Sequence, residues 1–299
     1  MQRGHVSFRG LPPEWRRGLT VLELLITMVI AALLISLLLP AIQAAREAAR
    51  RVECQNNLRQ LGLALHQHHD VFGQLPAGWR DVEGTPAESG WVPPLLPFLE
   101  QESLKCSVQE QWPMALLDQS RHAPELLRTP NVLQCPSDVA EESFRLFMDA
   151  TDGEPSSADE VLLSEVALMQ LPHSNYVGIA GTNDPDETDD ENLNGTFIHG
   201  GTVRFSDLTR GLSNVAVISE RSARRLPTTW IGFHQLGEDG PARVTGFMHL
   251  GPNQPLADEC ELDSRHPSGI HVLFADGHSQ FISDSIDVTT YRQMARRSE

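Results

Sequence analysis

The chain has little positive charge and almost no lysine. Lys105 is the only lysine among 299 residues, and 40 acidic residues outnumber 23 basic ones, which gives a formal net charge of −17. Nucleic acids and anionic lipid headgroups repel a surface of this sign. The composition therefore predicts no nucleic-acid partner.

Motifs that mark common catalytic sites are also missing. The sequence has no Gly-x-Ser-x-Gly element, no glycine-rich phosphate loop and no His-Glu-x-x-His element. No two cysteines have the Cys-x-x-Cys spacing of zinc knuckles or thioredoxin-like redox sites. These absences predict that the protein is not an enzyme, has no metal ligands and needs no cofactor; Ca²⁺ is kept as an alternative for the cofactor.

Only four cysteines are present, namely Cys54, Cys106, Cys135 and Cys260. In an oxidising compartment they can form disulfides, and four cysteines allow three pairings. The alternative is a set of unpaired buried thiols, because a free cysteine packs as a small apolar side chain. The sequence leaves both interpretations open.

One long apolar run stands near the amino terminus. The 21 residues from Leu19 to Leu39 would form a helix of about 30 Å, which matches the hydrocarbon core of a bilayer. The run exceeds the apolar stretch of a cleaved secretory signal, which has about 7–15 residues. It contains one acidic residue, Glu23, and a carboxylate at that depth costs about 2.5–3.5 kcal/mol on insertion scales. We predict a membrane anchor with a contact point at Glu23.

The residues from Arg16 to Glu23, Arg-Arg-Gly-Leu-Thr-Val-Leu-Glu, resemble the cleavage junction of prepilins. The resemblance implies that a prepilin peptidase cuts between Gly18 and Leu19 and that the new amino terminus of Leu19 is methylated. It also implies that Glu23 pairs with the α-amino group of a neighbouring pilin-like subunit, which offsets the cost of a buried charge. Most relatives have Phe where this chain has Leu19, and the cut is still expected. The same resemblance implies a single-pass protein of the bacterial inner membrane with its amino terminus in the cytoplasm.

Apolar positions continue at helical spacing beyond the anchor. They predict one long helix from about Thr20 to about His69, bent near Pro40 because proline removes a backbone hydrogen bond. We expect three parts: a leader of residues 1–18, a pilin-like helix of residues 19–69 whose residues 19–39 span the membrane, and an extracytoplasmic domain of residues 70–299. The apolar stripe consists of Ile42, Ala45, Ala49, Val52, Leu58, Leu61 and Leu65.

The last hundred residues alternate short β-branched or aromatic runs with glycine and proline, which predicts strands. The predicted strands are residues 195–199, 203–205, 214–219, 229–233 and 243–248. Asp276-Gly277 between the runs 270–275 and 278–282 is a strong hairpin signal. The expected fold class is α+β: a long pilin-like helix packed on a mainly antiparallel β-sheet, with short helices and long loops.

The stretch from residue 138 to residue 191 is strongly acidic. Within it, Ser156 to Gln170 has helical character, whereas residues 183–194 are almost purely polar and predict a solvated loop. Calcium is the alternative for this loop, although its spacing does not match the Asp-x-Asp-x-Asp-Gly pattern. The candidate oxygen donors are Asp184, Asp186, Asp189, Asp190 and Glu191.

His266 stands ten positions before Asp276, which Gly277 follows. This His-x9-Asp-Gly signature resembles a large bacterial family of uncharacterised pilin-like proteins, and the resemblance covers nearly the whole chain. One segment departs from that family, since Thr209-Arg-Gly-Leu-Ser-Asn214 lacks the aspartate usual before the central strand. Further shared motifs are Cys54-Gln-Asn-Asn-Leu58, Leu75-Pro76 and Cys135-Pro-Ser-Asp138.

Two roles are open for His266. The favoured one is structural: its ring hydrogen-bonds across the base of the hairpin and fixes the turn. The alternative is that it binds a metal or a neighbouring molecule together with Asp276, His271 or His278. Asp276 and Gly277 are explained by a turn that needs positive φ.

Three functions follow from these patterns. The favoured one is a type IV pilin-like or type II secretion pseudopilin-like structural protein that assembles through its amino-terminal helix. The second is a solitary membrane-anchored binding module for a glycan or protein ligand. A metal-dependent enzyme is the least supported, because the ligand spacings are poor.

Overall fold

The computed structural model describes residues 20–117, 125–148, 166–188 and 192–298. The leader, the Gly18–Leu19 junction and residues 189–191 of the acidic loop lie outside the described residues. Within these ranges the chain forms three α-helices, α1 (Val21–Phe72), α2 (Glu102–Leu117) and α3 (Val288–Ala295). The strands are β1 (Trp79–Asp81), β2 (Ala87–Gly90), β3 (Ser143–Phe147), β4 (Ala167–Pro172), β5 (Tyr176–Gly181), β6 (Ala216–Glu220), β7 (Gly232–His234), β8 (Thr245–Phe247), β9 (Gly269–Phe274) and β10 (Ser279–Ser283).

The described chain divides into two units between Arg46 and Glu47, and helix α1 contributes to both. In the first unit every large apolar side chain from Val21 to Ile42 is exposed. One 18-residue window of the helix reaches a mean hydropathy of 2.7, and none of that window is buried. The segment is therefore long and apolar enough to cross a membrane.

In the second unit α1 is amphipathic. Leu58, Leu61 and Leu65 are at most 2% exposed and belong to the main core, as the apolar stripe predicts. Val52 is 56% exposed, so the stripe becomes buried only further along the helix. A Cβ on Gly62 would stand 3.1 Å from Leu273 Cδ1, which shows how closely α1 approaches β9.

Helix α1 ends three residues beyond the predicted position. Gly73 adopts φ +71°, and its N–H donates to the carbonyl oxygen of His69 at 2.7 Å. A glycine in the left-handed region is a common helix stop, because it has no Cβ to clash with the following carbonyl.

The main sheet has the strand order β10-β9-β6-β5-β8. Its neighbours pair antiparallel except β5 and β8, which are parallel. All residues of β5, β6 and β9 are buried. One face of these strands shares a core with α1 and the other with α3, so they lack the alternation of a half-exposed strand.

Two small antiparallel sheets complete the domain, one of β1-β2-β7 and one of β3-β4. The structure differs here from three sequence predictions. Residues 195–199 are not a strand, although the Phe197 N–H donates to the carbonyl of Ile179 at 3.1 Å. Residues 203–205 lead into a 3₁₀ turn at Phe205–Asp207. The end of the predicted helix 156–170 lies in β4, because Ala167, Met169 and Gln170 pair with residues of β3.

The described elements make the fold class α+β. A long amino-terminal apolar helix is followed by a domain with a mainly antiparallel β-sheet and short helices. The predicted fold class is confirmed.

Candidate functional site

Glu23 forms a hydrogen-bonded cap at the start of α1. Its Oε2 accepts the backbone N–H of Thr20 at 2.8 Å and the Thr20 hydroxyl at 3.0 Å. Thr20 Oγ1 in turn accepts the Glu23 N–H at 3.2 Å. This reciprocal pattern is a capping box, which the sequence analysis overlooked. It gives the carboxylate partners within its own chain but no opposite charge.

Four polar side chains meet inside the second unit. Cys54, Cys135, Glu220 and His266, here named the Cys–His–Glu cluster, have donor atoms that all lie within 4.8 Å of one another. None of the four residues is more than 6% exposed. Buried polar groups are costly unless they are paired, so this convergence calls for a physical explanation.

His266 Nε2 faces the other three members of the Cys–His–Glu cluster. It lies 3.3 Å from Cys54 Sγ, 3.5 Å from Cys135 Sγ and 3.4 Å from Glu220 Oε1. The two sulfur atoms are 2.8 Å apart. A single ring nitrogen is therefore shared by two thiols and a carboxylate.

Each member comes from a different part of the fold. Cys54 lies on α1, and Cys135 follows the short 3₁₀ helix Asn131–Leu133. Glu220 is the last residue of β6, whereas His266 stands in the loop before β9. Because the donors are far apart in sequence, short-range spacing gave no signal for the site.

The turn that carries Cys135 is anchored by Asp138. The Cys135 N–H donates to Asn175 Oδ1 at 2.8 Å, and Asn175 Nδ2 donates to Asp138 at 2.7 Å. Burial raises the pKa of Asp138, but hydrogen bonds from His173 and the Ala223 N–H more than offset this and lower it below its ordinary value. The ionised acid thus holds the loop that presents Cys135.

Two further side chains orient the cluster. Glu47 Oε1 lies 2.6 Å from Nδ1 of His266, on the side of the ring away from the sulfurs. His271 donates its backbone N–H to Glu220 Oε2 at 2.9 Å, and its Nδ1 is 3.0 Å from Glu220 Oε1. Glu47 was not among the predicted site residues, since nothing local distinguishes it from other helical glutamates.

The cluster sets strongly shifted pKa values. Burial raises the pKa of Glu220, but hydrogen bonds from His266 and His271 lower it to about 2. Burial lowers the pKa of His266, while hydrogen bonds with Cys135 and Glu220 raise it to about 10. Their mutual hydrogen bond lowers the pKa of Cys135 to about 6 and raises that of Cys54. At neutral pH and without a bound ion, these directions favour a protonated His266 beside an ionised Glu220 and an ionised Cys135, while Cys54 keeps its proton.

The Asp276-Gly277 hairpin forms as predicted, but His266 does not take part in its turn. Gly277 has φ +88°, and its N–H donates to the Phe274 carbonyl at 2.9 Å. Asp276 Oδ1 lies 2.5 Å from His278 Nδ1. The expected bond from His266 across the hairpin base is wrong, because the ring of His266 faces the Cys–His–Glu cluster and Glu47 instead.

The four cysteines are free thiols in the structure. Of the three pairings left open by the sequence, only the one that joins Cys54 to Cys135 brings two sulfurs into contact. Cys106 is exposed on α2, and Cys260 is buried near Asp184 and Asp258.

The predicted calcium donors are only partly within the described residues. Asp184 Oδ1 accepts the N–H of Asp186 at 3.0 Å, as in a simple turn. Burial raises the pKa of Asp184 to about 6. Asp184, Asp258 and Cys260 have donor atoms that all lie within 4.8 Å of one another. Since Ca²⁺ takes oxygen ligands, a group that contains a thiol does not favour calcium.

These features define a class: an α+β protein with an apolar amino-terminal helix and a buried cluster of thiols, imidazole and carboxylate. Residues 43–289 match a family described as "Protein of unknown function (DUF1559)", and the chain belongs to that family. No curated protein and no solved structure matches the chain. The matched region contains all four members of the Cys–His–Glu cluster, whereas Glu23 precedes it.

Proposed function

We propose that this chain is a type IV pilin-like or type II secretion pseudopilin-like structural protein and not an enzyme. A prepilin peptidase cuts between Gly18 and Leu19, and Leu19 is methylated. The apolar part of α1 anchors the chain in the bacterial inner membrane, with the domain of residues 70–299 outside the cytoplasm. Its partners are the peptidase and other pilin-like subunits.

The uncovered apolar surface of α1 carries this proposal. Every large apolar side chain from Val21 to Leu39 is at least 50% exposed. Soluble monomers rarely expose contiguous apolar surface on this scale. Lipid covers such a helix before assembly, and the helices of neighbouring copies cover it in a filament.

The charge of Glu23 supports assembly in particular. It is the only charged residue from Val21 to Ala45. Its capping hydrogen bonds with Thr20 satisfy Oε2 but supply no positive charge. The α-amino group of a neighbouring copy would supply the missing positive charge.

Processing is tested by mass spectrometry of the amino terminus of the protein extracted from membranes. The proposal expects a chain that begins at methylated Leu19. Gly18→Leu should leave the leader attached, while Gly10→Leu, within the leader, should still be cut. A native protein that keeps residues 1–18 contradicts the proposal.

Assembly is tested by cross-linking in intact membranes. A filament subunit gives a ladder of oligomers, and a solitary protein gives the monomer alone. The monomer result would favour the second candidate, a membrane-anchored binding module for a glycan or protein ligand. An apolar groove beside the end of α1 supports that candidate, lined in part by His68, Phe72, Pro76, Pro94 and Trp112.

A further inference from the structure

We propose that Cys54, Cys135, His266 and Glu220 bind one Zn²⁺ ion. The inference does not depend on filament assembly, since all four donors lie in the second unit. Two thiolates, an imidazole and a carboxylate form a mixed sulfur, nitrogen and oxygen donor set of the kind that Zn²⁺ accepts.

The distances around His266 fit a tetrahedral site. Bond lengths of about 2.3 Å to sulfur and about 2.0–2.2 Å to nitrogen and oxygen give tetrahedral edges of about 3.6 Å for sulfur–nitrogen and about 3.4 Å for nitrogen–oxygen. Nε2 lies 3.3 and 3.5 Å from the two sulfurs and 3.4 Å from Glu220 Oε1.

The sulfur–sulfur edge is the one that must change. The two Sγ atoms are 2.8 Å apart, whereas a tetrahedral zinc site needs about 3.8 Å. Binding therefore moves the two thiolates apart by about 1 Å. Small side-chain rotations can supply this, because Cys54 and Cys135 come from separate elements.

The surroundings of the donors match those of metal ligands. A histidine that binds a metal through one nitrogen usually has its other nitrogen hydrogen-bonded to a carboxylate or carbonyl. Here Nδ1 of His266 contacts Glu47 while Nε2 faces the sulfurs. Glu220 is held by the backbone N–H of His271, and Cys135 by Asn175. These hydrogen bonds use Glu220 Oε2 and the backbone N–H of Cys135, so Glu220 Oε1 and Cys135 Sγ still face the cluster.

The site has the character of a structural rather than a catalytic centre. Four protein donors complete a tetrahedron and leave no position for water or substrate. All four residues are buried. The ion joins helix α1, the turn at Cys135, the end of β6 and the loop before β9. It therefore fixes the second half of α1 on the sheet.

A disulfide between Cys54 and Cys135 is the competing state of the same atoms. A disulfide would account for the close approach of the two sulfurs, whereas a bound ion also accounts for the approach of His266 Nε2 and a Glu220 oxygen to them. The experiment must therefore begin with reduced protein, so that metal uptake itself decides between the two.

The first test uses the full wild-type chain in detergent, reduced and kept free of oxygen. It is titrated with Zn²⁺ alone and, in parallel, with Co²⁺. The expected result is uptake of about one equivalent of metal, with thiolate-to-cobalt charge transfer and the visible bands of tetrahedral cobalt. A reduced chain that takes up neither ion overturns the proposal, whether or not it re-forms a disulfide in air.

The second test assigns the ligands. Cys54→Ser and His266→Gln should each lower the affinity for zinc by about tenfold or more, whereas Cys106→Ser, at an exposed cysteine, should retain it. Tryptophan fluorescence checks that each variant is folded. If a variant is not folded, the wild-type titration alone decides whether the chain binds zinc. Unchanged affinity in folded Cys54→Ser overturns the ligand set.

Discussion

Glu47 Oε1 and His266 Nδ1 lie 2.6 Å apart although 219 positions separate them in the chain. The contact connects helix α1 to the loop before β9. It leaves Nε2 of His266 as the nitrogen that faces Cys54 and Cys135. The orientation of the ring is thus set by a carboxylate outside the cluster.

This contact predicts the effect of Glu47→Gln on metal binding. An amide at this position is a weaker partner for the imidazole N–H, so the zinc affinity should fall by about 10–100-fold without loss of stoichiometry. Competition with a chromophoric chelator measures the affinity. Glu53→Gln, at an exposed position on the same helix, serves as the control and should leave the affinity unchanged. Equal affinities in both variants would show that Glu47 does not orient His266.

The buried face of α1 predicts a contrast between two leucines. Leu61 is fully buried, whereas Leu63 is 60% exposed. Leu61→Ala should lower the free energy of unfolding by about 2–5 kcal/mol, because it removes buried methyl groups and leaves a cavity. Leu63→Ala should change it by less than about 0.5 kcal/mol. Denaturant unfolding in detergent measures both, and similar losses would contradict the packing of this helix face.

Two variants separate the charge of Glu23 from its role as a cap. Glu23→Gln removes the charge but keeps an oxygen that can accept from Thr20, so helix capping should persist while the oligomer yield falls by about tenfold or more. Thr20→Ala removes the capping hydroxyl but keeps the charge, and should still assemble. Cross-linking in membranes gives the yield. Normal ladders from Glu23→Gln would refute charge pairing in the filament.

Glu88 predicts a pH dependence of stability. Burial raises the pKa of Glu88 from 4.5 to about 7, and a hydrogen bond with Asp81 adds to the rise against the opposing bond from Gln235. Between pH 4.5 and 7 the folded state binds more protons than the unfolded state, so stability falls as the pH rises through this window and then levels off.

The matching variant is Glu88→Gln, which cannot ionise. It should gain about 1–2 kcal/mol over wild type at pH 8, after allowance for solvent screening, and should lose most of the pH dependence between pH 5 and 7. Glu83→Gln, at an exposed site nearby, should keep the wild-type profile. Thermal unfolding across this range gives the comparison, and parallel curves for wild type and Glu88→Gln would contradict the raised pKa.

Local patterns predicted the parts of the fold that local forces determine. The apolar stripe gave α1 to within a few residues, and Asp276-Gly277 gave the hairpin of β9 and β10. The error at residues 195–199 has a different origin. The segment has strand composition and bonds to the end of β5 through Gly195 and Phe197, but it forms no regular ladder. Whether such a segment forms a regular strand depends on the strand beside it, here β5, and not on the composition of the segment.

The order of apolar segment, helix and hairpin was determined by the sequence alone, because periodicity and turn chemistry act over a few neighbouring residues. Only the tertiary structure decided that Cys54 meets His266, since they are 212 positions apart in the sequence. Glu220, a lone carboxylate in the sequence, acquires its partners in the same way. A site built from single residues on distant elements exists only once the chain has folded, because folding alone brings its donors within bonding distance.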